Sequence, residues 1–204
     1  IAAAGGHSAL MVGPPGAGKS MLANRLPGLL PPMSDTESLE TAAVQSLGGS
    51  FAVEHWGRRP FRAPHHTASA VALVGGGGQP RPGEISLANH GVLFLDEIAE
   101  FSSATLESVR QPLESGEITI NRVGGSYNYP CRFTLVAAMN PCPCGYFGTD
   151  RCRCTTADVK KYQSKISGPI SDRIDLQVTL HPLTTDQRFA PTEDEQSPKL
   201  RAKV

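Results

Sequence analysis

LMVGPPGAGKSML, residues 10–22, passes from a short apolar run through prolines and glycines to a lysine, a serine and a renewed apolar pattern. Gly13-Pro-Pro-Gly-Ala-Gly18-Lys19-Ser20 satisfies every fixed position of G-x-x-x-x-G-K-[ST]. Its flanks read as a buried strand, Ser8 to Val12, and a helix, Lys19 to Leu26. Phosphate oxygens need several backbone N–H groups pointing inward, and a Cβ at Gly16 or Gly18 is expected to obstruct that approach. The helix starting there turns its positive dipole end toward the anion. Lys19 brings a point charge to the β/γ-phosphates, and Ser20 a hydroxyl for Mg2+. The expected nucleotide contacts are Gly13, Pro14, Pro15, Gly16, Ala17, Gly18, Lys19, Ser20 and Met21. The alternative is a glycine-rich turn with an unrelated lysine, and the strand–loop–helix setting weighs against it.

Two further apolar runs end in residues suited to the same site. GVLFLDE (Gly91 to Glu97) is continuous and closes on two acids, as a buried parallel strand does. Asp96 is expected to join Ser20 in the Mg2+ shell, and Glu97 to polarise a water for attack on the γ-phosphate; a solvated strand end is the alternative. RFTLVAAMN (Arg132 to Asn140) reads as a second buried strand. Its Asn140 is expected to orient the same water, or else simply to cap the strand.

The remaining pattern places helices between strands. LPGLLPP (Leu26 to Pro32) stops the first helix, since proline removes a donor and clashes with the preceding turn. Ser34 or Asp35 caps a helix to about Leu47, ended by Gly48-Gly49. Phe51 to Gly83 lacks a sustained period and reads as loop with a short helix near Thr67 to Leu73. Ser103 is expected to cap a helix through Glu114, EITI and SYNYPCR to form a β-hairpin around NRVGG, Thr155 to Ser167 to be helical, and Ile174 to Leu180 to be the last strand. Strands alternating with helices indicate a three-layer α/β core with a mainly parallel sheet.

With 204 residues, 39% of them hydrophobic, one domain with a substantial core is expected. Nineteen basic and nineteen acidic residues cancel, so an overall basic footprint for nucleic acid is excluded but a local patch is not. No apolar run approaches the roughly 20 residues of a membrane helix. IAAAGGHSAL (residues 1–10) has no Met and no basic-then-apolar secretory pattern, and is expected to be a cut end. Five cysteines without an export signal favour reduced thiols or a metal, and a cytoplasmic location.

GPPGAGKS, GVLFLDE, LVAAMN and SGPISDRID, in that order, resemble the Walker A, Walker B, sensor-1 and arginine-finger stretches of AAA+ ATPases. RPFRAPHHTAS, PRPGEISLANHGVLFLDE, RQPLESGEITI and AAMNPCPCGYFG narrow the resemblance to the magnesium-chelatase-like subgroup, and within it to the ComM (YifB) proteins, from about Gly5 to Leu183. The resemblance implies an αβα P-loop NTPase core. It implies an insertion in the second helix near Gly75 to Gly83 and a hairpin near Val123-Gly124-Gly125 before the sensor strand, both facing the channel of a ring, usually a hexamer. It implies that Arg173 acts in trans on a neighbour's nucleotide; a salt bridge to Asp172 or Asp175 is the alternative. The ATPase core is expected over residues 1–183, with a linker and the first turns of a helical lid over 184–204. Alone, such a core is expected to be mostly monomeric, to bind ATP weakly and to hydrolyse it slowly.

The activity implied is that of a DNA branch-migration helicase. A metal-chelatase motor subunit and a σ54-activator-type ATPase are the competing readings. The chain has no porphyrin or chelatase site, and VALVGGGG stands where a GAFTGA loop would be needed. Gly75 to Gly78 with Gln79 and Arg81, and Arg122 with Tyr127 and Tyr129, offer charge and stacking faces for a nucleic-acid strand; an ordinary flexible loop and a solvated hairpin are the alternative. Cys142, Cys144, Cys152 and Cys154 form two C-x-C pairs. Their spacing leaves open a structural zinc site, reduced surface thiols or an oxidised pair. Cys131 is expected to be a small buried apolar residue. His65 and His66 are adjacent, so on a regular strand their rings would face opposite ways and hardly share a metal; RAPHH reads as a structural or channel-facing loop.

Overall fold

The computed structural model describes residues 1–77, 80–122, 125–166, 168–182 and 196–204, without the side chains of 196–198. Its elements in chain order begin with α1 (Ala2–Gly5), β1 (Ala9–Val12), α2 (Lys19–Arg25), α3 (Asp35–Gly48), β2 (Phe61–Arg62) and α4 (Ala70–Val74). They continue with β3 (Gly75–Gly76), β4 (Arg81–Pro82), α5 (Glu84–Leu87), β5 (Val92–Leu95), α6 (Ser103–Ser115), β6 (Glu117–Arg122) and β7 (Gly125–Pro130). The last are β8 (Thr134–Met139), α7 (Thr156–Gln163), α8 (Gly168–Ser171), β9 (Leu176–Thr179) and a short helix Gln196–Arg201.

The central sheet runs β2-β5-β8-β1-β9, and all of its pairs are parallel. Period-two alternation divides its side chains between two cores. Leu10, Leu93, Leu95, Leu135, Ala137 and Met139 face one, with Leu106 and Val109 of α6 and Tyr162 of α7. Met11, Val92, Phe94, Val136 and Ala138 face the other, with Ala3 and Ala23. Both faces are therefore covered, which explains why β5 and β8 read as unbroken apolar runs. This is the three-layer α/β architecture of a P-loop NTPase.

Several boundaries differ from the sequence reading for local reasons. Ser102, not Ser103, caps α6, because its Oγ accepts from the Thr105 amide. β2 was hidden because it has only two residues, bracketed by Pro60 and Pro64, and leaves no period to detect. The expected helix Thr155–Ser167 ends at Gln163. Between α4 and α5 the chain makes an antiparallel β3–β4 hairpin, the expected helix insertion. Gly78 and Gln79, between β3 and β4 in sequence, Val123 and Gly124, between β6 and β7, Ser167, and residues 183–195 lie outside the described residues.

Ser34 begins α3 with a complete capping box: its Oγ accepts from the Glu37 amide at 3.2 Å, and the Glu37 carboxylate accepts from the Ser34 amide at 2.8 Å. That amide is the main reason the Glu37 carboxyl sits below its usual range, with Arg59 and His90 adding to it. Ser34→Ala should cost about 1 kcal/mol in urea unfolding, by loss of a satisfied helix-end donor. An unchanged midpoint would show that this helix end is held by packing alone.

Candidate functional site

Three strands deliver the site. Parallel register sets Val12 opposite Met139 and Leu95 opposite Ala137, so Gly13, Asp96 and Asn140 all leave the sheet at its carboxyl edge. The Gly13 amide continues the ladder by donating to the Met139 carbonyl at 3.2 Å.

The loop from Gly13 to Ser20 turns on two left-handed residues, Gly16 (φ 76°) and Gly18 (φ 84°). Any other residue there costs about 1–2 kcal/mol. A Cβ on Gly16 would meet nothing of the chain within 4 Å, and one on Gly18 only the Met21 methyl at 3.5 Å, so no protein atom fills the space beside them. Within the chain the demand for glycine is conformational. Gly13 is the sterically bound one, since its Cβ would lie 2.7 Å from the Leu180 carbonyl oxygen. Ala17 is buried, whereas Pro15 and Met21 are exposed.

Lys19 Nζ donates to the carbonyls of Gly13 (2.7 Å) and Pro14 (3.1 Å) and to Asn140 Oδ1 (3.1 Å). Burial lowers its pKa from the ordinary lysine value, and the nearby carboxylates of Asp96 and Glu97 oppose that shift. Ser20 Oγ donates to Asp96 Oδ2 at 2.7 Å, while Asp96 Oδ1 accepts from the Glu97 amide at 3.0 Å. A hydroxyl and a carboxylate oxygen meeting in this way form a hard-oxygen pair suited to Mg2+. Glu97 has φ 51°, in the left-handed region despite its side chain. Such strain is concentrated at functional sites.

Sequence reasoning missed the Glu97 partner. His66 Nδ1 lies 3.4 Å from Glu97 Oε2. The two histidines lie in the loop that follows β2, with their rings 4.1 Å apart. His65 Nδ1 pairs with Thr67 Oγ1 at 2.8 Å. Ser20, Asn24, His65, His66, Asp96 and Glu97 line a cleft of roughly 370 Å³. Ser20, Asp96 and Glu97 are the expected residues here; without β2 in the sequence reading, nothing joined the histidines to them.

Arg173 pairs with neither Asp172 nor Asp175. Its guanidinium donates to Glu114 Oε1 on α6 at 2.6 Å, a carboxylate that also lies 3.5 Å from Arg110. Asp175 instead accepts from the Ser8 amide at 2.9 Å. Tyr129 also departs from expectation. It is buried and its hydroxyl donates to the Pro80 carbonyl at 3.0 Å, so only Tyr127, 39% exposed, presents a ring to solvent on that hairpin.

The four loop cysteines come together, with all four Sγ atoms within 4.8 Å of one another. Cys142 lies 3.4 Å from Cys144 and 3.9 Å from Cys152, and Cys144 lies 3.8 Å from Cys152. The backbone amides of Arg153 and Tyr146 lower the Cys144 thiol to about 6. Such a set can hold a metal ion. Cys131, just after β7, is buried as expected, and burial, with Glu117 nearby, pushes its thiol up to about 12.

No helix among the described residues is long and apolar enough to cross a membrane. Residues 1–188 match the family model described as magnesium chelatase, subunit ChlI. The chain is 52% identical, over its whole length and 40% of the relative's, to the competence protein ComM of Haemophilus influenzae. It is 52% identical to the YifB protein of Escherichia coli K12, over 88% of this chain and 36% of that one. A protein of Mycobacterium tuberculosis H37Rv is 49% identical over the whole chain and 41% of its own length. The chain thus spans about two fifths of the curated relatives it matches. A P-loop and an acidic strand end at one sheet edge, and such identity throughout, place the chain in the magnesium-chelatase family of AAA+ proteins, in its ComM/YifB branch.

Proposed function

We propose that this chain is the ATP-binding and hydrolysing motor core of a ring-forming, DNA-translocating protein, a hexamer acting as a branch-migration helicase in the whole molecule. One observation carries the ATPase reading. Residues separated by 76 and by 121 positions, Ser20 with Asp96 and Lys19 with Asn140, are hydrogen-bonded into one set beside the left-handed glycines. That convergence supports the reading over a solvated strand end or an incidental lysine.

In this reading the amides between Gly13 and Ser20 and the Lys19 ammonium bind the phosphates, with Met21 at the rim. Ser20 Oγ and Asp96 would hold Mg2+, which supplies charge neutralisation at the β- and γ-phosphate oxygens when bound. Glu97 takes a proton from the attacking water, and Asn140 fixes that water's orientation. Arg173 completes the site of a neighbouring subunit. A structural zinc ion belongs to the four-cysteine loop, and the cytoplasm, where thiols stay reduced, is the compartment.

The DNA reading draws on the two hairpins. A Cβ on Gly76 would lie 3.0 Å from the Arg122 guanidinium, and Tyr129 bonds to Pro80, so β3–β4 and β6–β7 form one platform. Arg81 and Tyr127 are exposed on it. Such a surface pairs charge for a backbone with a ring for a base. The competence protein among the relatives supports the same direction. The test is ATP turnover by the full-length protein with single-stranded, branched or no DNA. Severalfold stimulation by one of the DNA forms is expected; equal turnover in all three would remove the DNA reading and leave the ATPase reading standing.

A further inference from the structure

The cysteine loop begins directly after Asn140 and returns to the nucleotide loop. Gly145, at φ 84°, rests on Pro15 so closely that a Cβ there would come within 2.7 Å of the proline Cδ. The Gly145 amide donates to the Cys142 carbonyl at 2.9 Å, which forms the turn between the first two cysteines. Pro141, between Asn140 and Cys142, accepts at its carbonyl from Gln163 of α7 at 3.1 Å.

The sulfur spacings fit one metal. Four thiolates at ~2.3 Å around a tetrahedral zinc ion lie about 3.8 Å apart; Cys142, Cys144 and Cys152 are 3.4, 3.8 and 3.9 Å from one another, and with Cys154 all four sulfurs lie within 4.8 Å. Cys142 is fully buried, and its sulfur faces those of Cys144 and Cys152. Zn2+ with four thiolates retains two negative charges. Arg153, Lys161 and Lys165 line the hollow beside Cys144 and Cys154, against Glu100 and Asp158. Asp158 is occupied in capping α7, and Glu100 lies 3.5 Å from Lys165. The side-chain set thus keeps a positive balance toward the cluster.

We infer that Cys142, Cys144, Cys152 and Cys154 bind one Zn2+, and that the resulting knot holds the nucleotide loop in shape by bracing Pro15 through Gly145 and fixing Asn140 from its carboxyl side. The coupling rests on the reading of Gly13–Ser20 as a nucleotide site; the zinc site does not. Without the metal, the Cys142–Gly145 turn keeps its own hydrogen bond but loses the tie to Cys152 and Cys154 that would hold it against Pro15. The fraction of molecules with a competent loop then falls, and apparent affinity falls with it.

The experiment measures metal content and nucleotide affinity on the same protein. Atomic emission should find about one zinc per chain, released by a thiol-directed mercurial, with the apparent Kd for a fluorescent ADP analogue rising about tenfold as zinc leaves. Cys152→Ser should lose both zinc and affinity. Because Cys152→Ser changes the metal site and the loop's fold at once, Gly145→Ala separates the two parts: it should keep its zinc yet lose about tenfold in affinity, since its Cβ displaces Pro15. Absence of zinc, with none taken up from added Zn2+, would overturn the metal site. Zinc present but affinity unchanged on its removal and in Gly145→Ala would overturn the coupling alone. Absence of nucleotide binding in the untreated protein would overturn the nucleotide reading, and the coupling with it.

Discussion

Glu97→Gln should leave ATP binding within about twofold of the parent and slow hydrolysis by about 10²–10⁴-fold, the usual worth of a positioned general base. The separation follows from how the residue is held. Only its backbone amide reaches Asp96, at 3.0 Å, so a change of side chain leaves the Ser20–Asp96 pair intact. The side chain itself faces His66 and the cleft. Gln keeps the shape and cannot take the proton. Lys19→Ala, by contrast, removes the one cation bonded into the loop and should reduce binding itself. Both variants need equilibrium binding and phosphate release measured on the same preparation. Equal loss of binding in Glu97→Gln would make that residue a structural strand end.

Arg173→Ala should cost about 10³–10⁵-fold in turnover of the assembled ring while leaving binding nearly intact, as expected of an arginine that acts only on transition-state charge. Within one chain this residue is tied to Glu114 at 2.6 Å on α6. Loss of that exposed pair should matter little to stability. Glu114→Gln therefore serves as the control: it breaks the same pair and should leave turnover within about twofold. A second readout is complementation. Mixed rings of Arg173→Ala and Glu97→Gln should regain activity, because some interfaces then combine an intact Glu97 with an intact Arg173 from the neighbour. If Glu114→Gln matches Arg173→Ala, or the mixture stays inactive, Arg173 is a structural residue and not a finger.

What the sequence made legible followed the strength of local signals. β1, β5 and β8 were plain because both sheet faces are covered, which makes their residues uniformly apolar. Those same strands carry Gly13, Asp96 and Asn140, so the heart of the candidate site could be named from their ends. The elements that failed to show were short or set by tertiary contact. β2 has two residues between prolines and is a strand only because β5 pairs with it. That omission concealed the His66–Glu97 contact. The Arg173 partner was missed because Glu114 lies 59 positions away, on a helix face that no local pattern links to α8. Tyr127 and Tyr129 share a strand face, and it takes tertiary contacts, Tyr129 in the main core with its hydroxyl on Pro80, to distinguish the buried ring from the exposed one. The C-x-C spacing announced four thiols but not that Gly145 between them would rest on Pro15.

The most direct test of the central claim is a crystal structure with Mn2+ in place of Mg2+ and a non-hydrolysable ATP analogue, examined for the anomalous signal of manganese. The account predicts the phosphates against the amides of residues 13–20 and the manganese peak between Ser20 Oγ and the Asp96 carboxylate. A nucleotide bound elsewhere, or a manganese peak away from Ser20 and Asp96, would contradict it.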